Sequence, residues 1–228
     1  MKTIIFDFDG TLTKRNNEIW RRIWKKLDAI DVDDILYDRF NNNEITYHEW
    51  CVEIEKEFIK RKLNTEIMNE LIASIEMMDN LEDTLIELKS KGYDLRILSG
   101  GIDYVINTLL KDNIKYFSDI RTNKFYFDEK GLLTRIEETD SDGKGKARYI
   151  LNYIKESGCH PSDIIFIGNG NNDRFVSQSG CHTICLNPHY TNHEDKNIWH
   201  NYIDSTNDLR DILKTIEEIE TTKKTKKI

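Results

Sequence analysis

Two carboxylates two residues apart, Asp7 and Asp9, follow directly on the apolar run Thr3-Ile4-Ile5-Phe6. Side chains at i and i+2 of a strand point the same way, so both acids can converge on one small volume where the strand runs into a turn. Gly10 lets the backbone turn sharply, and Thr11-Leu12-Thr13 offers hydroxyls and amides close by. Two acids this close repel each other, so a cation or a shared proton is expected between them. The segment reads as a site for Mg²⁺-assisted chemistry on an anion.

Two later apolar runs end in the same way. Tyr93 to Leu98 runs into Ser99-Gly100-Gly101, and Ile164 to Ile167 runs into Gly168-Asn169-Gly170-Asn171-Asn172-Asp173. In open α/β sheets ligands sit outside the carboxyl ends of strands, where chain direction across the sheet switches, so distant turns can line one pocket. The Gly100 and Gly101 amides at a helix start suit phosphate oxygens, and Ser99 adds a hydroxyl. Lys144 and Lys146 sit near the start of a helix expected from about Gly145 to Glu156, where the dipole does not favour a cation. A pocket that must neutralise two carboxylates and a phosphoryl group supplies a reason for one of them.

The elements that must hold these turns alternate. Helical patterns (Leu81, Leu85, Leu88; Val105, Ile106, Leu109, Leu110) lie between continuous apolar strands, with a further strand expected at Thr183–Leu186 and a last helix from Asp208 to Ile219. Phe125-Tyr126-Phe127 and Leu132-Leu133 around Glu129-Lys130-Gly131 read as a β-hairpin. This pattern predicts an α/β fold: a Rossmann-like parallel sheet covered on both faces. Residues 14 to 78 break it, with helical spacing at Ile19, Trp20, Ile23, Trp24 and Leu27, a capped helix from Thr46, a third through Ile67 to Ile75, and no strand. The expected organisation is one core (1–13 and 79–220), an all-helical insertion (14–78) and a basic, disordered tail (221–228).

The bulk numbers narrow the function. A formal net charge of −8 argues against nucleic-acid or membrane-surface partners. The four cysteines form no CxxC pair and the chain opens on a strand, which predicts reduced thiols in a cytoplasmic protein. Oligomeric state leaves no trace in the sequence.

Asp7-Phe8-Asp9-Gly10-Thr11-Leu12-Thr13, Leu98-Ser99-Gly100-Gly101, Lys144-Gly145 and Gly168 to Asp173 together resemble the four motifs of the haloacid dehalogenase superfamily, in its order and spacing. The likeness is greatest to the phosphoserine phosphatase-like branch, which carries a helical cap between the first two motifs. That resemblance implies an Mg²⁺-dependent phosphatase acting on a small phosphomonoester metabolite through an aspartyl-phosphate. Asp7 would be the nucleophile, and Asp9 the acid and base whose main-chain carbonyl also holds Mg²⁺. Ser99 and the Gly100 amide would hold phosphoryl oxygens. Lys144 would shield charge on Asp7 and the substrate. Asn169 would contribute to the metal, with Asp173 orienting metal-bound water or Lys144.

The chain departs from the pattern at three positions. Asn169 stands where the family usually has a metal-binding Asp, which removes one negative charge and predicts weaker Mg²⁺ binding. It also leaves open a weakly active or regulatory phosphate-binding protein, and a phosphotransferase is a further alternative. By spacing, Asn16 and Ile54 fall where phosphoserine phosphatases place a Glu and an Arg that hold the amino-acid end of the substrate, although Glu18 lies two residues on from Asn16. Both departures argue for a substrate other than phosphoserine. Trp20, Trp24, Tyr47 and Trp50 are candidates for cap-core packing, or for an aromatic or cationic substrate pocket.

Overall fold

The run Thr3–Phe6 forms strand β1, buried along its whole length, as expected of a strand covered on both faces. It sits at the centre of a seven-stranded sheet in the computed structural model, which describes residues 2–15, 17–189 and 198–225. Its neighbours are β2 (Asp94–Ile102) and β5 (Ile164–Gly170), both parallel to it. On the β2 side lie β3 (Phe117–Phe127) and β4 (Leu133–Glu137), and on the β5 side β6 (His182–His189) and β7 (Asn201–Ile203). The order β4-β3-β2-β1-β5-β6-β7 places the reversal of chain direction beside β1, where a ligand crevice is expected.

Several elements differ from the sequence reading. The expected hairpin is the far end of β3, whose first part already pairs parallel with β2 before its last part pairs antiparallel with β4. Phe117–Asn123 carries too mixed a pattern to announce a strand, because its faces meet the sheet edge rather than a uniform core. Strands β2 and β5 do not stop at their glycine-containing turns. They continue to Ile102 and Gly170, with register shifts between Leu98 and Ile102 and between Gly168 and Gly170. Beyond β5 the chain makes two short 3-10 turns, Asn171–Asp173 and Val176–Ser179.

Helices cover both faces. Helices α5 (Leu81–Ser90), α6 (Asp103–Leu110), α7 (Lys144–Ser157) and α8 (Asp211–Thr225) belong with the sheet. Helix α8 runs to Thr225, so the first part of the segment expected to be disordered is helical; residues 226–228 lie outside the described residues. All four cysteines are free, and no helix among the described residues is long and apolar enough to cross a membrane.

Between β1 and α5 the insertion holds four helices, α1 (Ile19–Lys26), α2 (Ile30–Asn41), α3 (Tyr47–Lys60) and α4 (Thr65–Ile72). Helix α3 starts with the capping box foreseen at Thr46 and Glu49. Helix α2 went unread because its sequence is half polar and buries little beyond Asp33 and Leu36. The insertion has its own apolar cluster, built on Ile19, Ile23, Trp24, Ile54 and Phe58, which extends onto Phe125 and Leu133 of the hairpin. Its two ends leave the sheet side by side: Thr13 bridges Met77, and the Met78 amide donates to the Leu12 carbonyl at 2.9 Å.

Trp24 is fully buried at the centre of this cluster, 4.6 Å from Phe58 between ring centroids. Trp24→Ala is therefore expected to cost about 3–5 kcal/mol, read as a lowered urea midpoint for unfolding.

Candidate functional site

Asp7 follows β1 immediately and is locked in register by its amide, which donates to the Ile167 carbonyl of β5 at 2.8 Å. The chain then folds into a tight turn in which the amides of Thr11, Leu12 and Thr13 all point at the Phe8 carbonyl, at 3.2, 2.9 and 3.2 Å. Gly10 makes this possible with φ of +74°, a conformation that other residues adopt at a cost. The Gly10 amide donates to Thr13 Oγ1 at 2.9 Å, which closes the turn. Asp7 and Asp9 are thereby held over the carboxyl end of the central strand, and both line one cavity of about 530 Å³.

Ser99, Gly100, Gly101 and Asn169 line the same cavity, so the structure brings together the groups read from three separate turns. The Gly101 amide donates to Ser99 Oγ at 3.1 Å. The Gly100 carbonyl accepts from Asn123 Nδ2 and from Trp20 Nε1, each at 3.0 Å. A methyl group at Gly100 would lie 2.8 Å from Asp142 Cγ, so the close approach of that acid requires glycine there.

The lysine of the site is Lys146, not Lys144. Lys146 is completely buried, with Nζ 3.1 Å from Asp7 Oδ2 and 2.6 Å from Asp173 Oδ1. Lys144 is exposed, its ammonium 5.7 Å from the Phe175 ring centroid. Two residues along a helix is a rotation of about 200°, so only one of the two lysines can face the strand ends. Asp173 lies behind the cavity rather than in its wall. Its second oxygen accepts from the amides of Asn169 and Gly170, at 3.1 and 3.2 Å.

The electrostatics single out Asp9. Burial first, and then the charge of Asp7, push the Asp9 carboxyl up to about 7. Burial pulls the Lys146 ammonium down, but Asp173, Asp7 and Asp142 outweigh it and leave the lysine firmly charged. Asp9 Oδ1 is buried and has no hydrogen-bond partner, and the same is true of Thr11 Oγ1.

Among the described residues no three His, Cys, Asp or Glu side chains are placed to hold a metal ion. The oxygens that remain are all hard ones: the Asp7 carboxylate, the Asp9 carbonyl and the Asn169 amide. With an orphaned, buried carboxylate oxygen beside them, this set fits a Mg²⁺ ion, which takes few carboxylates and keeps several waters.

One neighbour of the site escaped sequence reasoning. Asp142 lines the cavity, accepts from Asn172 Nδ2 at 2.9 Å, and has its carboxyl raised by burial. Trp20, a candidate for cap-core packing or a substrate pocket, ties the insertion to the Gly100 carbonyl. No local spacing announced the Asp142 contact. Of the positions tied to substrate choice, Glu18 and Ile54 line the cavity, and Asn16 lies outside the described residues. Trp20, Tyr47 and Trp50 are also in its walls, whereas Trp24 belongs to the insertion's core.

Comparison with known proteins gives the family and the fold. The model of the haloacid dehalogenase-like hydrolases matches residues 1–174, and the chain belongs to that family. It is 25% identical to a phosphoserine phosphatase of Archaeoglobus fulgidus over 176 residues, 77% of this chain but only 49% of that protein, so it spans about half of that relative's length. It is 26% identical to a phosphoserine phosphatase of Methanocaldococcus jannaschii over 189 residues, 75% of this chain and 79% of that one. The fold is also that of a solved phosphoserine phosphatase carrying a phospho-aspartyl intermediate analogue, with a TM-score of 0.67, 23% identity, and coverage of 94% of this chain and 98% of the other.

Removing the buried lysine leaves Asp7 and Asp173 without their shared partner. Lys146→Met is expected to cost about 3–5 kcal/mol in denaturant unfolding. Lys144→Ala should stay within about 0.5 kcal/mol of the parent. Equal effects of the two changes would contradict the assignment.

Proposed function

We propose that this haloacid dehalogenase-like hydrolase is an Mg²⁺-dependent phosphatase that hydrolyses a small phosphomonoester through a phosphorylated Asp7. One observation carries the reading: Asp7 lies 3.1 Å from the buried Lys146 ammonium, while the carboxyl of Asp9, beside it, is pushed up to about 7. Two carboxyl groups with such different environments suit a nucleophile and a proton carrier.

In the first step a carboxylate oxygen of Asp7 forms a bond to phosphorus and the ester P–O bond breaks. The Asp9 carboxyl gives its proton to the departing alkoxide oxygen, so an alcohol leaves. In the second step ionised Asp9 takes a proton from water as that water's oxygen bonds to phosphorus. The bond between phosphorus and Asp7 breaks, and inorganic phosphate leaves with both carboxyl groups restored. Ser99 and the amides around Gly100 and Gly101 bind the phosphoryl oxygens, and Lys146 offsets charge on Asp7 throughout. Mg²⁺, held by Asp7, the Asp9 carbonyl and Asn169, would neutralise phosphoryl charge. Asp173 fixes Lys146 and the Asn169 backbone.

Hydrolysis of a generic aryl phosphate by the purified chain, with and without Mg²⁺, tests the proposal. Turnover is expected to require Mg²⁺, to fall by at least about 10³-fold in Asp7→Asn, and to pass through a hydroxylamine-sensitive acyl phosphate. If folded Asp7→Asn turns over as the parent does, the mechanism is wrong. Transfer of the phosphoryl group to an acceptor in preference to water would instead mark a phosphotransferase. Asn169→Asp restores a carboxylate and should lower the Mg²⁺ concentration for half-maximal rate by about tenfold. A resting protein that becomes active only in Asn169→Asp would mark the chain as a regulatory member of the family.

A further inference from the structure

Above the two acids the cavity opens into the helical insertion, where its walls are of two kinds. Trp20, Tyr37, Tyr47 and Trp50 contribute aromatic surface, and Glu18, Asp33 and Asp34 contribute carboxylates. Tyr47 and Trp50 lie 5.8 Å apart between ring centroids and are inclined at 51°. Phe40 stacks on Trp50 at 5.2 Å, which holds the indole in place.

Arg21 is the one cationic side chain lining the cavity among the described residues. It is already committed, with Nη1 2.8 Å from Asp33 Oδ2 and 2.5 Å from Asp34 Oδ1. Ile54, 1% exposed, closes part of the same wall with apolar surface. A leaving group bearing a carboxylate would therefore meet acids, ring faces and a guanidinium that is already paired. A neutral one would gain nothing from the wall where Asp33 and Asp34 share the single guanidinium of Arg21. A compact cation is favoured by both kinds of wall, since ring faces attract ammonium groups and nearby carboxylates add to that attraction.

We propose that the cavity selects phosphomonoesters of small alcohols carrying an alkylammonium group and no carboxylate. This rests on the phosphatase reading above for its chemistry, but the cation site itself is independent of turnover.

Two measurements separate the claims. The first compares kcat/KM, with Mg²⁺ present, for 2-(trimethylammonio)ethyl phosphate, 2-aminoethyl phosphate, the neutral isostere 3,3-dimethylbutyl phosphate and O-phosphoserine, with an aryl phosphate as reference. Either ammonium ester is expected to exceed the isostere and phosphoserine by ~10-fold or more. Trp50→Leu is expected to shrink the ratio of trimethylammonio to dimethylbutyl ester severalfold. Hydrolysis of the isostere as fast as the ammonium esters, or a preference for phosphoserine, overturns the proposal.

The second measurement needs no catalysis: tryptophan fluorescence during titration with choline or with 3,3-dimethylbutanol. Saturable choline binding, about tenfold tighter than the neutral alcohol and weakened in Trp50→Leu, supports the cation site. Equal binding of the two, or none, overturns it. If even the aryl phosphate resists hydrolysis while choline still binds selectively, the phosphatase reading fails and the cation site stands.

Discussion

The site depends on a fully buried ammonium, that of Lys146, placed between the carboxylates of Asp7 and Asp173. A lone charge at that depth would be very costly, and each of the three groups is tolerable only because the others are present. The arrangement needs three separate pieces of chain in fixed register. Strand β1 delivers Asp7, the first turn of α7 delivers Lys146, and the turn after β5 delivers Asp173. The hydrogen bond from the Asp7 amide to the Ile167 carbonyl sets the first piece against the third. The same carboxylate that holds Lys146 also accepts the Asn169 and Gly170 amides, so it fixes the end of β5 as well.

A second set of contacts ties the insertion to the turn at Ser99, Gly100 and Gly101. Asn123 of β3 donates to the Gly100 carbonyl and also accepts from the Thr139 amide at 2.9 Å. Trp20 of α1 donates to the same Gly100 carbonyl. The turn that would bind phosphoryl oxygens is thus clamped from the sheet side and from the insertion side at one atom. Displacing α1 would remove a donor from that carbonyl, so the position of the insertion and the geometry of the turn are mechanically linked.

Much of this was legible in the chain because strand ends and their turns carry local signals. Continuous apolar runs followed by Gly, Ser, Asn and Asp marked β1, β2 and β5, and the helical period marked most of the insertion. What escaped was decided by tertiary contacts. Helix α2 has a weak apolar face because the insertion is small and covers it on one side only. The first part of β3 lacks a clear period because parallel pairing with β2 and a sheet-edge environment set its conformation. Lys144 and Lys146 are equivalent in type and neighbourhood along the sequence. The rotation of α7 relative to β1, which nothing local encodes, decides which one enters the site. Asp142 was invisible for the same reason, since its partners Asn172 and Gly100 lie far along the chain.

Asn169 acquires a physical meaning within this charge balance. Asp7 and Asp173 already share one lysine, and Asp9 and Asp142 line the cavity beside them. A further carboxylate at position 169 would add to the negative charge there and make the folded site more dependent on a bound cation. An amide keeps an oxygen donor in place without the added repulsion. An amide at position 169 would therefore lower both the floor's demand for a divalent ion and its affinity for one. A weaker metal site and a more tolerable metal-free fold would both follow from one missing charge.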